Sequence, residues 1–221
     1  MILWPIFGEG CVENIPCLLY LQKRHVEAIT ACSQIIREAR EQNIQIKVLD
    51  IGGGFPVDYE TASETNIKEF CKPIVEALAG VSEDVRIIAE PGRFIAAPAM
   101  IGICSVTGKS TRFGKPWYYL DDGVYCSYSG QIFDHVVYPK FAQKLGAINY
   151  SVLAGPTCDS IDIIAEDIPL PELDIGDLIV GKMMGAYTIA TATDFNFIPR
   201  AQIVEIDLER EPLCINLEMV A

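Results

Sequence analysis

The segment LAGPTCDSIDII, residues 153–164, sets a thiol directly beside a carboxylate, Cys158 and Asp159, just after a Gly-Pro turn in apolar surroundings. A thiol is a small acid tuned by its environment, and a carboxylate in a partly dry site holds a cation strongly. The structural alternatives are a buried hydrophobe for Cys158 and a helix N-cap for Asp159. Two further groups stand at the ends of apolar runs. In DIGGGFP, Gly52, Gly53 and Gly54 follow a β-branched run, so their N–H groups can approach an anion with no Cβ in the way; a plain tight turn is the alternative. The spacing matches neither a dinucleotide-binding fingerprint nor a P-loop. In AEPGRF, Glu90 suits a protonated heterocyclic nitrogen and Arg93 an anion, unless the two pair with each other. Taken together, these residues suit a phosphorylated cofactor.

The elements around these residues change character along the chain. HVEAITACSQIIREAREQN carries Val26, Ile29, Ile35 and Ile36 near helical spacing, and IQIKVLDI reads as a strand ending in the glycines. NIKEFCKPIVEALAG predicts a second helix ended by Gly80, with Pro73 expected early in it, and VRIIAE a second buried strand. Alternating helix and strand predicts a parallel sheet with helices outside, and in a barrel of that kind function collects at the strand ends. After about Pro98, AMIGICSVTGKS, KPWYYLDDGVY, DLIVGKMMGAYTIA and RAQIVEIDLE are short β-rich runs between Gly, Pro and Asp. They predict an antiparallel β-domain with no long helix.

Composition excludes some partners. The net charge of -13, from 30 acidic and 17 basic residues, comes with no Lys/Arg stripe, so nucleic acid is not expected and a cationic substrate is favoured. No run is long enough to span a bilayer, and MILWPIFGEGC lacks a basic leader pattern, which places the expectation in the cytoplasm with no membrane partner. The cysteines Cys11, Cys17, Cys32, Cys71, Cys104, Cys126, Cys158 and Cys214 lack zinc or CxxC spacing and read as reduced thiols. His25 and His135 are expected at the surface, Asp121 and Asp122 in a turn before Gly123, and no metal site is expected.

DIGGGFP, AEPGRF, DDGVYCSYSGQIFDH, GPTCDSID, DIGDLIVGKMMGAYT and ATDFNF, in this order, resemble the pyridoxal-phosphate decarboxylases of the alanine-racemase-like fold from about Lys47 to Val204. Their wording is most similar to the ornithine and lysine/ornithine decarboxylases. The resemblance implies residues 1–97 as part of a (β/α)8 TIM-like barrel and residues 98–221 as an antiparallel β-sandwich or barrel domain. It implies pyridoxal 5'-phosphate as cofactor, its phosphate held by Gly52, Gly53, Gly54, Gly92, Arg93 and the Tyr187 hydroxyl, with Glu90 on the pyridine nitrogen. It further implies that Cys158 manages a proton at the substrate carbon that loses carbon dioxide. Asp159 and Asp134 would bind the distal ammonium of a diamino acid beside an apolar wall at Phe195, with Cys158 and Asp159 entering the partner's site in a homodimer. Diaminopimelate decarboxylases, similar in fold, carry Glu where Asp159 stands. The implied activity converts ornithine to putrescine, or lysine to cadaverine, in polyamine biosynthesis.

One departure stands against the resemblance. The lysine that carries the cofactor in this family lies early in the barrel, and Lys23, Lys47, Lys68, Lys72, Lys109, Lys115, Lys140, Lys144 and Lys182 all have other settings. IFGEGC is a candidate remnant of a histidine-bearing stretch. The expectation is a truncated or split form, inactive alone and unstable as a monomer, whose N-terminal half comes from elsewhere. The alternative is a non-enzymatic relative resembling the antizyme inhibitors.

Overall fold

The computed structural model describes residues 15–59 and 66–206 of the chain. Helix α1 (Ile15–Glu41) turns His25, Ile29, Cys32 and Ile36 inward at three- and four-residue steps and leaves Ile35 exposed. Strands β1 (Val48–Asp50) and β2 (Arg86–Ile88) pair in parallel, Leu49 opposite Ile87. Between them runs α2 (Ile67–Leu78), capped by Asn66, whose side-chain oxygen accepts the Glu69 N–H at 3.3 Å. Phe70 and Ile74 of α2 pack with Ile29, while Cys32, Ile36, Leu49 and Val85 form a second small core.

Three expectations change in this part. Pro73 lies in the interior of α2 rather than early in it. Proline offers no N–H to the Glu69 carbonyl, and the Gln22 amide of α1 supplies the missing donor, at 3.2 Å to Glu69 O and 2.9 Å to Phe70 O. Strand β2, expected buried, exposes Arg86 and leaves Ile87 37% exposed, because among the described residues it pairs on one side only. His25, expected at the surface, is 5% exposed and packs edge-on against Phe70. His135 is exposed as expected.

A short helix α3 (Gly92–Ala96) leads to the sheet part: β3 (Gly102–Arg112), β4 (Lys115–Leu120), α4 (Gly130–Phe133), β5 (Lys140–Ala142), β6 (Ile148–Ala154), β7 (Ile163–Pro171) and β8 (Leu178–Gly181). These strands form one six-stranded sheet in the order β5-β8-β3-β4-β6-β7. End strands β5 and β7 approach each other, so the sheet nearly closes into a barrel. Alternate residues of β3, Cys104 and Val106, point into a core shared with Leu120, Leu153, Ile164, Leu170, Leu173 and Ile179, and Tyr59 and Ala97 reach it from the preceding part.

The sheet is mixed rather than antiparallel throughout, since β4 and β6 pair in parallel, Trp117 opposite Val152 and Tyr119 opposite Ala154. The connection between them carries α4 and β5, long enough to bring the chain back to the end from which β4 started. RAQIVEIDLE was expected to form a strand, yet residues 200–206 form none, and Ile203 and Val204 stay 66% and 68% exposed. The remainder of that run, the opening segment with IFGEGC, and Cys11, Cys17 and Cys214 lie outside the described residues or side chains. The described cysteines Cys32, Cys71, Cys104, Cys126 and Cys158 are free. No helix among the described residues is long and apolar enough to cross a membrane.

Candidate functional site

The expected site residues fall into two clusters. The first stands at the ends of β1 and β2. Buried Asp50 turns back so that its Oδ1 accepts the Gly52 N–H at 2.8 Å, and Gly52 O accepts the Glu90 N–H at 2.8 Å, tying the two strand ends together. Gly52 and Gly54 have φ of 72° and 78°, a region open to glycine at no steric cost. A Cβ on Gly53 would lie 2.9 Å from the Glu90 carbonyl oxygen, and Gly53 O accepts from His25 Nε2 at 2.8 Å. The stitching corrects part of the sequence reading: the Gly52 N–H is spent on Asp50, and the Gly92 N–H on Glu90 O at 2.8 Å. The N–H groups of Gly53 and Gly54 donate to no acceptor among the described residues.

Arg93, on α3, completes this cluster. Its Nη2 donates to Asp134 Oδ2 at 2.8 Å, at the end of α4, and its guanidinium lies 5.0 Å from the centre of the Tyr187 ring. It does not pair with Glu90, whose side chain is exposed. Arg93 Nε is buried with no partner among the described residues, as are the hydroxyls of Tyr59 and Tyr138, whose rings pack edge-on at 5.8 Å. Burial pushes the Tyr59 phenol up, with Arg93 opposing that push. Tyr187 lies beyond β8 at φ 54°, and the Cβ position of Gly92 is 3.6 Å from its hydroxyl. Unspent backbone N–H groups, a leftover guanidinium donor and close glycine approaches describe a cradle for an anion.

The second cluster surrounds Cys158 and Asp159. Tyr125, in the loop after β4, donates its hydroxyl to Asp159 Oδ2 at 2.6 Å, and the Ile161 N–H donates to Oδ1 at 3.1 Å. No helix follows Asp159; the chain turns and enters β7, so the carboxylate closes a side-chain turn in place of the N-cap. The Tyr125 bond holds the Asp159 carboxyl below the usual carboxylate range, and the same bond pushes the phenol up to about 12. Phe195 packs its ring 4.4 Å from that of Tyr125, and the Asn196 amide donates to Cys158 Sγ at 3.5 Å. Cys158 is exposed, against the buried-hydrophobe alternative.

Asp134, expected to share a ligand with an Asp159 that enters from the partner, pairs with Arg93 in the first cluster. Among the described residues no hydrogen bond, ion pair or ring contact joins the two clusters. Sequence reading missed Tyr125, Asn196 and Asp162; Tyr125 was visible only as an aromatic beside an Asp-Asp-Gly turn, and no local spacing rule ties it to a carboxylate 34 residues on. Asp122 is buried, accepting the N–H groups of Gly123 at 2.7 Å and Ser127 at 2.8 Å, while Asp121 accepts from Ser105; burial raises the Asp122 carboxyl. Among the described residues no group of His, Cys, Asp or Glu is arranged to hold a metal.

Comparison with known proteins gives one consistent match. Residues 27–185 match the family model described as pyridoxal-dependent decarboxylase, C-terminal sheet domain. The chain is 36% identical over 170 residues to lysine/ornithine decarboxylase of Selenomonas ruminantium, covering 77% of this chain and 43% of that protein. It is 34% identical to antizyme inhibitor 2 of Xenopus laevis, covering 86% of this chain and 43% of the relative. The crystal structure of lysine/ornithine decarboxylase from Vibrio vulnificus complexed with cadaverine superposes with a TM-score of 0.81 at 51% identity, over 84% of this chain and 51% of that one. The chain thus spans about half the length of the relatives it matches.

Proposed function

Because the chain belongs to the pyridoxal-dependent decarboxylase family, we propose that it acts as part of an enzyme that decarboxylates a basic diamino acid, L-ornithine to putrescine or L-lysine to cadaverine. The observation that carries this reading is the division of labour between the clusters: one offers unspent donors to an anion, the other an exposed thiol beside a carboxylate. On this reading β1, β2 and their helices belong to a (β/α)8 barrel whose remaining strands cover the open side of β2.

The first cluster fits the cofactor. The N–H groups of Gly53 and Gly54, the buried Arg93 Nε and the Tyr187 hydroxyl are suitable donors for a phosphate dianion, and a side chain at Gly53 would be forced against Glu90 O. Gly52 serves by its left-handed backbone rather than its N–H, and Gly92 by its close approach to Tyr187. Bound there, pyridoxal 5'-phosphate supplies the electron sink for the pair released when carbon dioxide leaves. Glu90, whose carboxyl is exposed and has no partner among the described residues, would keep a proton on the ring nitrogen. Asp159 and the free oxygen of Asp134 bind the distal ammonium of the substrate, and Phe195 walls its methylenes. Cys158 returns a proton from Sγ to the substrate's α-carbon.

The separation of the clusters, which share no hydrogen bond, ion pair or ring contact among the described residues, supports a reading in which the Cys158 loop serves the site of a second copy in a homodimer. Antizyme inhibitor 2 is the reason to keep a non-enzymatic reading in the test. Fused to the N-terminal half of the Vibrio vulnificus enzyme, the chain should release carbon dioxide from ornithine and lysine, and the chain alone should not. A folded fusion that binds pyridoxal 5'-phosphate but releases none would overturn the enzymatic reading.

A further inference from the structure

Asp162 is 2% exposed and belongs to neither cluster, yet it bonds to both segments that build the second one. Its Oδ1 accepts the Val124 N–H at 2.9 Å, next to Tyr125. Its Oδ2 accepts the Thr157 N–H at 3.0 Å and the Thr157 hydroxyl at 2.6 Å, next to Cys158. Its backbone closes the same turn, the carbonyl taking the Gly155 N–H at 2.8 Å and the N–H donating to Asp159 O at 3.1 Å. Space is cleared for the carboxylate: a Cβ on Gly155 would lie 2.1 Å from Oδ1, and a Cβ on Gly123 would lie 2.3 Å from it. Neither glycine has a positive φ, so their need is for room rather than backbone freedom.

The geometry points to Asp162 as the positioning residue that locks the Cys158–Asp159 turn against the Tyr125 loop, with Gly123 and Gly155 as the clearances that let it do so. A buried carboxylate accepting several donors fixes what it touches, because each donor left without it would be a buried, unpaired polar group. Held from below in this way, the turn presents Cys158 exposed and Asp159 half-buried at its tip, where both can meet a ligand. What this does for substrate rests on the decarboxylase reading; the locking itself does not.

The test therefore uses the full chain without substrate or cofactor. Asp162→Asn keeps the shape but faces an N–H with an amide, whereas Gly155→Ala and Gly123→Ala keep the charge and take its space. Two signals report the lock: ultraviolet titration of the Tyr125 phenol, taken as the difference from the same protein carrying Tyr125→Phe, and the rate of Cys158 alkylation by iodoacetamide, read by peptide mass. Each variant should move the Tyr125 titration from near 12 toward the ordinary value of about 10 and speed Cys158 alkylation several-fold. The glycine variants exclude loss of charge as the cause. Variants that melt earlier while both signals match the parent would make Asp162 a plain core residue and overturn the assignment. Should Asp162→Asn fail to fold, the glycine variants decide the matter alone. Failure of the fused enzyme to release carbon dioxide would leave these readouts untouched, so the two ideas fail separately.

Discussion

The two clusters are built on opposite plans. Around Arg93 the polar groups are undercommitted: a buried guanidinium nitrogen, two tyrosine hydroxyls and two loop N–H groups have no partner among the described residues. Around Asp159 the commitments are complete, with both carboxylate oxygens, the Tyr125 hydroxyl and the Cys158 sulfur each bonded within the chain. Leftover buried donors are costly unless something fills them, so the first plan suits receiving an anion. Full internal bonding fixes an exposed tip in advance, and the second plan suits presenting that tip to a ligand held elsewhere.

The largest expected effect breaks the receiving cluster. Arg93→Ala removes the unpaired Nε donor and leaves the Asp134 carboxylate uncompensated beside the anion site, so affinity for pyridoxal 5'-phosphate should fall by roughly a hundredfold, at about 1.5–3 kcal/mol for the lost contact with the Asp134 repulsion added. Fluorescence titration of the purified chain checks this. Asp159→Ala should leave the same affinity within about threefold if the plans are separate. Equal losses in both variants would merge the clusters into one site.

The contrast between clusters was only half legible in the sequence. Glycines after DI and Glu-Pro-Gly-Arg after a strand announce themselves because strand-end chemistry is local, and Cys158–Asp159 because the two are adjacent. What each residue touches was not legible. Arg93 finds Asp134 rather than its neighbour Glu90, and Asp159 finds Tyr125, because these contacts are set by tertiary packing across 41 and 34 residues. The same limit explains the fold. Alternating apolar residues in β4 and β6 predict strands but carry no information on parallel pairing, and the β-branched residues at 203–206 form no strand where no neighbour offers a ladder. His25 reads as a polar surface residue until the glycine loop presents it with the Gly53 carbonyl.

A middle-sized effect tests what the presenting cluster is for. In the fused, active form, Asp159→Asn keeps the shape and removes the charge, so kcat/KM for ornithine and lysine should drop by about 2–5 kcal/mol in transition-state free energy if the ammonium is well desolvated. Norvaline, which lacks the distal ammonium, should be turned over as poorly by the variant as by the parent, and cofactor affinity should hold. A loss shared equally by all three substrates would mean that the carboxylate serves the turn alone.

The smallest effect sharpens the claim that the second cluster is fully bonded. One hydrogen bond, Tyr125 to Asp159, shifts two groups in opposite directions, so it should leave a mark on stability at both ends of the pH scale. The Asp159 carboxyl is depressed in the folded chain; its contribution is full above the ordinary carboxylate value of about 4 and is lost as pH falls through the folded value. The Tyr125 phenol is raised; its contribution is full below about 10 and is lost as pH climbs toward about 12. Between these limits Tyr125→Phe should lower Tm by no more than a few degrees, since the pair is open to solvent and screened. Toward each extreme the difference from the parent should shrink. Melting curves from pH 2.5 to 11 provide the check, and a Tm difference that stays constant across the range would show that the lost contact was packing against Phe195 rather than the bond to Asp159.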